Sequence, residues 1–192
     1  MFKAAFLDRD GVINRKMPEG QYVTRWEEML FLPGATEAIF LLQRAGFRVI
    51  VVSNQRCVAK GLLTVRELDS IHRRMCEEFS VAGATIDGVY YCPHDNQPPC
   101  ACRKPAPGLI LKAAREHELD LAGSWMIGDS DIDVAAGRNA GCKTARLLNR
   151  AENEDDSADI IALSLLDAVR QILRLENLRA DRGTTDVAQS SR

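Results

Sequence analysis

The sequence predicts an α/β protein built on a Rossmann-like parallel sheet with helices on both faces. Short apolar runs typical of strands alternate with helix-periodic stretches from one end of the chain to the other. The run at residues 47–53 is rich in β-branched residues and suits a parallel strand that is buried on both faces. A chain of 192 residues is the size of one ordinary domain with a substantial core.

Six runs are predicted to be strands because they are short, apolar or β-branched, and bounded by glycine, proline or polar residues. The first ends directly before two acidic residues, and the second is the β-branched run that ends at Ser53. In chain order the predicted strands are residues 2–7, 47–53, 86–91, 124–128, 142–147 and 158–162.

Five stretches are predicted to be helices because apolar residues recur in them at three- and four-residue spacing. Gly46 can close the first helix in a left-handed conformation. Thr64 and Glu67 form a capping box that begins the second, and the last helix is amphipathic, with leucines at helical spacing. In chain order the predicted helices are residues 33–46, 64–81, 107–117, 130–140 and 164–176.

The composition is that of an ordinary globular protein, with 46% hydrophobic and 27% charged residues. A net charge of −2 gives no basic surface for nucleic acid, and no apolar run approaches the ~20 residues of a membrane helix. The chain begins with a strand rather than a signal peptide, so we expect a cytoplasmic protein that is a monomer by default. We expect a single domain over residues 1–177, a solvated acidic loop at 152–156 and a disordered polar tail at 178–192.

Two aspartates follow the first predicted strand with one residue between them. Side chains two apart on extended backbone point the same way, so Asp8 and Asp10 are predicted to face one small volume. Carboxylates this close repel unless a cation lies between them or one of them holds a proton. Gly11 allows a sharp turn and the close approach of a ligand. The arrangement suits a hard metal ion and a phosphate, although Asp-Gly is also common in plain turns.

Polar clusters also follow three other predicted strands. They are Ser53 with Asn54 and Gln55, Lys104 in an Arg-Lys-Pro segment, and Asp129 with Asp133. Because parallel strands end at the same edge of a sheet, the clusters are predicted to gather on one rim. A hydroxyl and an ammonium there can bind phosphoryl oxygens. Taken singly, each residue also fits a turn, a surface Lys-Pro pair or an acidic first turn of a helix.

The Cys-x-His-x5-Cys-x-Cys segment is a candidate metal site. Cys92, His94, Cys100 and Cys102 lie within eleven residues and supply three thiolates and an imidazole, the ligands of a closed, structural Zn²⁺ site. The alternative is a metal-free loop of reduced thiols. The segment ends just before Lys104, so zinc is expected to set the position of that lysine.

The order of these motifs resembles that of the haloacid dehalogenase-like phosphatases. Asp-x-Asp-Gly is followed by a strand-end serine, then by Lys-Pro, then by Gly-Asp-x-x-x-Asp, from residue 2 to about residue 165. The resemblance implies that Asp8 is the nucleophile and Asp10 the general acid and base, and that Ser53 and Lys104 hold the phosphoryl oxygens. The reaction would pass through an aspartyl-phosphate, which divides a difficult hydrolysis into two easier steps.

The same resemblance implies a catalytic Mg²⁺ ion. Its ligands would be Asp8, the backbone carbonyl of Asp10, and Asp129. Asp133 would lie behind them and help to place Lys104 or the waters of the metal. Relatives in this superfamily often insert a cap domain, but both insertion points hold only short segments in this chain. A capless, open site with a zinc-binding loop is therefore expected.

A narrower resemblance is to the D-glycero-D-manno-heptose 1,7-bisphosphate 7-phosphatases. It is carried by Leu-Asp-Arg-Asp-Gly, Ser-Asn-Gln and Cys-Pro-His…Cys-x-Cys-Arg-Lys-Pro. It implies a small phosphorylated sugar as substrate and release of its 7-phosphate. The residues that it implies for substrate contact are Asn54, Gln55, Arg56, Arg103 and Ser130, with the loop at 16–22 as a further candidate. Two alternatives stay open: a histidinol-phosphate phosphatase, and a non-catalytic zinc-bearing interaction module that keeps the phosphatase fold.

Overall fold

In the computed structural model, the chain forms one six-stranded parallel sheet with helices on both faces. The structure describes residues 1–148 and 158–189, so the predicted acidic loop at 152–156 lies outside the described residues. The strands are β1 (Ala4–Leu7), β2 (Arg48–Asn54), β3 (Gly88–Cys92), β4 (Trp125–Gly128), β5 (Lys143–Leu147) and β6 (Ile160–Ala162). The helices are α1 (Ala35–Arg44), α2 (Val65–Val81), α3 (Gly108–Glu116), α4 (Asp131–Ala140) and α5 (Leu165–Gln189).

The order of the strands places β1 at the centre of the ligand-binding edge. The sheet runs β3-β2-β1-β4-β5-β6, so β1 pairs with β2 on one side and with β4 on the other. This reversal is the topological switch point, beyond which open α/β sheets bind their ligands. In register, Leu7 lies opposite Val51 and Ile127. The residues that follow these three therefore emerge together at one edge.

Both faces of the central strands are covered. On β1, Ala5 and Leu7 pack into one apolar cluster with α1, α2 and α5, whereas Ala4 and Phe6 pack into a second cluster with α3 and α4. All four side chains are fully buried. The strand reads as a continuous apolar run because neither of its faces meets water.

The predicted capping box of α2 is confirmed. The Thr64 hydroxyl accepts a hydrogen bond from the backbone N–H of Glu67 (3.2 Å), and the Glu67 carboxylate accepts one from the backbone N–H of Thr64 (2.7 Å). Two of the donors that a helix start leaves without partners are satisfied in this way.

The last helix differs most from its prediction. Its backbone continues as a helix to Gln189, beyond the end predicted at residue 176. A helix that is already nucleated by packed turns can lengthen by one hydrogen bond per residue without an apolar stripe. In its packed part, Glu176 accepts hydrogen bonds from Lys3 and Lys143 at 2.6 Å each. Burial would raise the pKa of Glu176, but the two ammonium groups lower it to about 2.

The two points at which relatives carry a cap hold only short segments. Between β1 and α1 lies a 3-10 helix at Trp26–Glu28, which the sequence pattern does not predict. Between β3 and α3 lies the Cys/His segment. Neither of these two segments, both of which the structure describes throughout, contains a further domain. Among the described helices, none is long and apolar enough to cross a membrane.

Candidate active site

Side chains from the predicted clusters meet around a cavity beyond the carboxyl ends of β1, β2 and β4. The cavity has a volume of ≈ 260 Å³, and residues 16–23 form one of its walls. The sequence-predicted residues that line it are Asp8, Asp10, Ser53, Asn54, Lys104, Asp129, Ser130 and Asp133. Motifs that are far apart in the chain thus converge on one rim, as their positions after parallel strands predict.

Lys104 lines this cavity and is only 3% exposed. Its ammonium donates a hydrogen bond to the carbonyl of Val52 (2.8 Å) and forms ion pairs with Asp8 Oδ1 (2.8 Å) and Asp133 Oδ1 (2.6 Å). These acceptors match the three donors of an ammonium group. Burial alone would lower the pKa of Lys104, but the two carboxylates raise it well above its usual value. A fixed positive charge therefore lies beside Asp8.

The acidic residues are close enough to attract a divalent cation. Burial raises the pKa of Asp8 to about 7; Asp133 and Asp10 act in the same direction, and Lys104 opposes them. One oxygen from each of Asp8, Asp129 and Asp133 lies within 4.8 Å of the other two. Carboxylates this close repel one another, and hard oxygen ligands are the type that Mg²⁺ prefers. The donor set therefore fits a magnesium ion.

The carboxylate of Asp10 is held by three donors. It accepts hydrogen bonds from Asn14 (2.9 Å), Gln55 (3.1 Å) and the buried Arg9 (3.1 Å). Burial would raise the pKa of Asp10, but Arg9 and these hydrogen bonds lower it, which favours the carboxylate form. Arg9 also lies 3.0 Å from Nε2 of His72. No sequence pattern singles out His72. Arg9 could have been identified from the sequence, because it lies between the two aspartates.

Asp129 lies against the backbone of Gly11. The φ angle of Gly11 is +91°, and a Cβ at this position would overlap the Asp129 carboxylate. Glycine is therefore required twice, for the left-handed backbone and for the close approach. The sequence predicts that Gly11 admits a ligand, and in the structure it admits the carboxylate of Asp129. The same carboxylate lies 2.6 Å from the ammonium of Lys16.

Two amide side chains after β2 position their neighbours. Asn54 binds the backbone of Lys104 on both sides, donating to its carbonyl (3.1 Å) and accepting from its N–H (3.0 Å). Gln55, which is buried, donates to the Ser53 hydroxyl oxygen (2.7 Å) as well as to Asp10. Because Ser53 accepts this bond, its own proton stays available for donation into the cavity.

The five side chains predicted to contact substrate divide into two groups: Asn54 and Ser130 line the cavity, whereas Gln55, Arg56 and Arg103 lie outside its lining. The last three side chains have partners within the protein. The Arg56 guanidinium lies 2.5 Å from the carboxylate of Asp95, and Arg103 donates to the backbone carbonyl of His94 (3.3 Å). Both arginines thus contact residues of the Cys/His segment, and their contact with substrate stays a prediction.

Cys92, His94, Cys100 and Cys102 form a compact group, here called the Cys/His tetrad. The three sulfur atoms lie 3.4, 3.4 and 3.6 Å apart, and His94 Nδ1 lies 3.5 Å from Cys92 Sγ and 3.2 Å from Cys102 Sγ. These sulfurs are too far apart for disulfides, which need about 2.05 Å, and all four side chains lie near enough to share one ion. Zinc bonds of about 2.3 Å to sulfur and about 2.0 Å to nitrogen require a tetrahedron of roughly this size. The tetrad therefore fits zinc.

Comparisons with known proteins agree with this geometry. A family model described as HAD-hydrolase-like matches residues 101–168. The D-glycero-beta-D-manno-heptose-1,7-bisphosphate 7-phosphatase of Helicobacter pylori is 40% identical over 147 residues, which cover 76% of this chain and 83% of the relative. The D-glycero-alpha-D-manno-heptose-1,7-bisphosphate 7-phosphatase of Mycobacterium bovis is 40% identical over 135 residues, or 70% of each chain.

A solved structure extends the similarity to the whole fold. The D,D-heptose 1,7-bisphosphate phosphatase of Bordetella bronchiseptica, crystallised with magnesium and phosphate, matches with a TM-score of 0.81 and 33% identity. The match covers 90% of this chain and 98% of that structure. Identity at this level over most of both chains establishes the family. The chain belongs to the haloacid dehalogenase-like phosphatases, within the family of the heptose-1,7-bisphosphate 7-phosphatases, and is an enzyme that hydrolyses phosphate monoesters.

Proposed function

We propose that the enzyme removes the 7-phosphate of D-glycero-D-manno-heptose 1,7-bisphosphate through a phosphorylated Asp8. The observation that carries the proposal is the group formed by Asp8, the buried ammonium of Lys104 and the hydroxyl of Ser53 around one cavity. The names of the relatives support the choice of substrate.

In the first step, a carboxylate oxygen of Asp8 bonds to phosphorus while the ester P–O bond to the sugar breaks. Lys104, 2.8 Å from Asp8 Oδ1, offsets the charge on the phosphoryl oxygens, and the Ser53 hydroxyl donates a hydrogen bond to one of them. Asp10 gives its proton to the departing sugar oxygen, which then leaves as a hydroxyl rather than as an alkoxide.

In the second step, water attacks the phosphoryl group on Asp8, and Asp10 accepts the proton of that water. The P–O bond to Asp8 breaks, so inorganic phosphate is released and the carboxylate is restored. The donors Arg9, Asn14 and Gln55 favour the ionised form of Asp10, which is the form that accepts a proton. The proton gained here is the one that the next leaving group takes.

We assign Mg²⁺ to Asp8, Asp129 and the backbone carbonyl of Asp10, with Asp133 behind them. When bound, the ion would neutralise charge on the reacting phosphate and orient it. We assign a structural Zn²⁺ to the Cys/His tetrad, whose four protein ligands leave no open coordination position. Because Lys104 lies two residues after Cys102 in the chain, zinc would fix the backbone that carries the phosphate-binding ammonium.

The substrate assignment is tested by comparing kcat/KM in Mg²⁺ for the two C1 anomers of the heptose bisphosphate and for histidinol phosphate. We expect at least about a tenfold preference for one of the heptose anomers over histidinol phosphate. Phosphorus NMR of the product should show heptose 1-phosphate. A higher kcat/KM for histidinol phosphate, or a product that retains the 7-phosphate, would overturn the assignment.

A further inference from the structure

Lys16 is a cation at the mouth of the cavity that the proposed reaction does not use. Its ammonium lies 2.6 Å from Oδ2 of Asp129. The Lys16 side chain is 58% exposed, whereas the side chain of Asp129 is only 9% exposed. The lysine therefore reaches from a surface segment onto a largely buried carboxylate.

The surrounding charges explain why an ammonium is held here. Asp8, Asp129 and Asp133 crowd their oxygens together, and Lys104 contacts Asp8 and Asp133. The remaining carboxylate, that of Asp129, forms its ion pair with Lys16. Between them, the two lysines pair with all three of these carboxylates.

We propose that Lys16 competes with the divalent ion for Asp129 and thereby weakens the binding of Mg²⁺ to the enzyme. The inference rests on the proposed function, in which Asp129 is a ligand of the metal. An ammonium and a divalent cation repel each other when they share one carboxylate oxygen, so the ion displaces Lys16 when it binds. The Lys16 side chain is long, flexible and mostly exposed, so its ammonium can move into water when the ion binds.

The test is isothermal titration of the zinc-loaded protein with MgCl₂. Dialysis into magnesium-free buffer without chelator keeps the Cys/His tetrad loaded. In Lys16→Met the Kd for Mg²⁺ should fall about threefold to tenfold, whereas Lys16→Arg, which keeps the cation, should stay within about twofold of the wild type. Lys112→Met is the matched control, because Lys112 is 56% exposed and pairs with Glu116, away from the acidic group. Its Kd should also stay within about twofold.

A second readout is independent of heat signals. The rise in Tm on adding Mg²⁺ should be larger in Lys16→Met than in the wild type, because ligand stabilisation grows with affinity. An unchanged or higher Kd in Lys16→Met, or an equal fall in Lys112→Met, would overturn the inference.

Asp129→Asn separates failure of this inference from failure of the proposed function. If Asp129→Asn binds Mg²⁺ as tightly as the wild type, the metal assignment is wrong and the inference falls with it. If Asp129→Asn binds weakly while Lys16→Met matches the wild type, only the competition by Lys16 is refuted.

Discussion

The contact between Asn54 and Lys104 can be tested by removing the Asn54 amide. Asn54→Leu keeps the side-chain size but removes both hydrogen bonds to the Lys104 backbone. At about 1 kcal/mol per bond, with the added cost of leaving an N–H and a carbonyl without partners, the free energy of unfolding should fall by about 2–3 kcal/mol. A shift of the Lys104 ammonium by ~1 Å away from Asp8 should lower kcat about 100-fold.

Phosphate release measured against substrate concentration separates kcat from KM, and urea unfolding gives the change in stability. The control is Asn139→Leu, because Asn139 donates a single exposed hydrogen bond to the carbonyl of Pro105 in the same segment. It should lose no more than about 1 kcal/mol and keep kcat within about threefold. If Asn54→Leu instead kept kcat and raised KM about tenfold, Asn54 would bind substrate and the positioning argument would be refuted.

Three further predictions concern separate parts of the molecule. Glu176→Gln should lower the free energy of unfolding by about 1–2 kcal/mol at neutral pH. The pKa of Glu176 is about 2 in the folded protein, against an ordinary value of 4.5. The stabilisation is therefore fully present above pH 4.5 and is lost as the pH falls towards 2. If urea unfolding showed the same difference between variant and wild type at every pH, this prediction would be contradicted. Gly11→Ala should lower the free energy of unfolding by about 1–3 kcal/mol and raise the Kd for Mg²⁺. The control is Gly46→Ala, because Gly46 has a similar φ of +83° but open space around it, so this variant should change stability alone. Equal Kd values in the two variants would refute the close approach of Asp129 to Gly11. Cys100→Ser should lower the zinc content, the Tm and kcat together. The control Cys76→Ser should keep its zinc. Full retention of zinc in Cys100→Ser would refute the assignment of zinc to the Cys/His tetrad.

The sequence pattern predicts the layered fold because a strand that is buried on both faces has apolar residues at consecutive positions. Neighbouring residues such as Ala4 and Ala5 are both buried, and such uninterrupted apolar runs with helices between them admit few arrangements. The rim of acids, serine and lysine follows from topology, since every parallel strand delivers its next residues to the same edge. The length of α5 could not be predicted, because its later turns add no apolar periodicity.

Side-chain direction after a strand is the part that the sequence does not determine. Gln55 follows the pocket residues directly, yet it turns inward because Asp10, far away in the chain, offers an acceptor. The direction of Arg56 likewise depends on Asp95, which lies on another loop, whereas Arg103 donates to His94 nearby in the chain. Lys16 reaches Asp129 from a segment without regular structure, where no periodicity reports which residue faces inward.

The most direct test of the catalytic account is to trap the phosphoryl group on residue 8. Asp10→Asn should accumulate the intermediate with p-nitrophenyl phosphate, whose leaving group needs no proton, because the variant lacks the base that activates water. Acid quench and borohydride reduction convert an aspartyl-phosphate into homoserine, which mass spectrometry of the peptide can locate. The account predicts homoserine at position 8 during turnover and none in Asp8→Asn. Phosphate release in Asp10→Asn without modification of Asp8, or with modification of another residue, would contradict it.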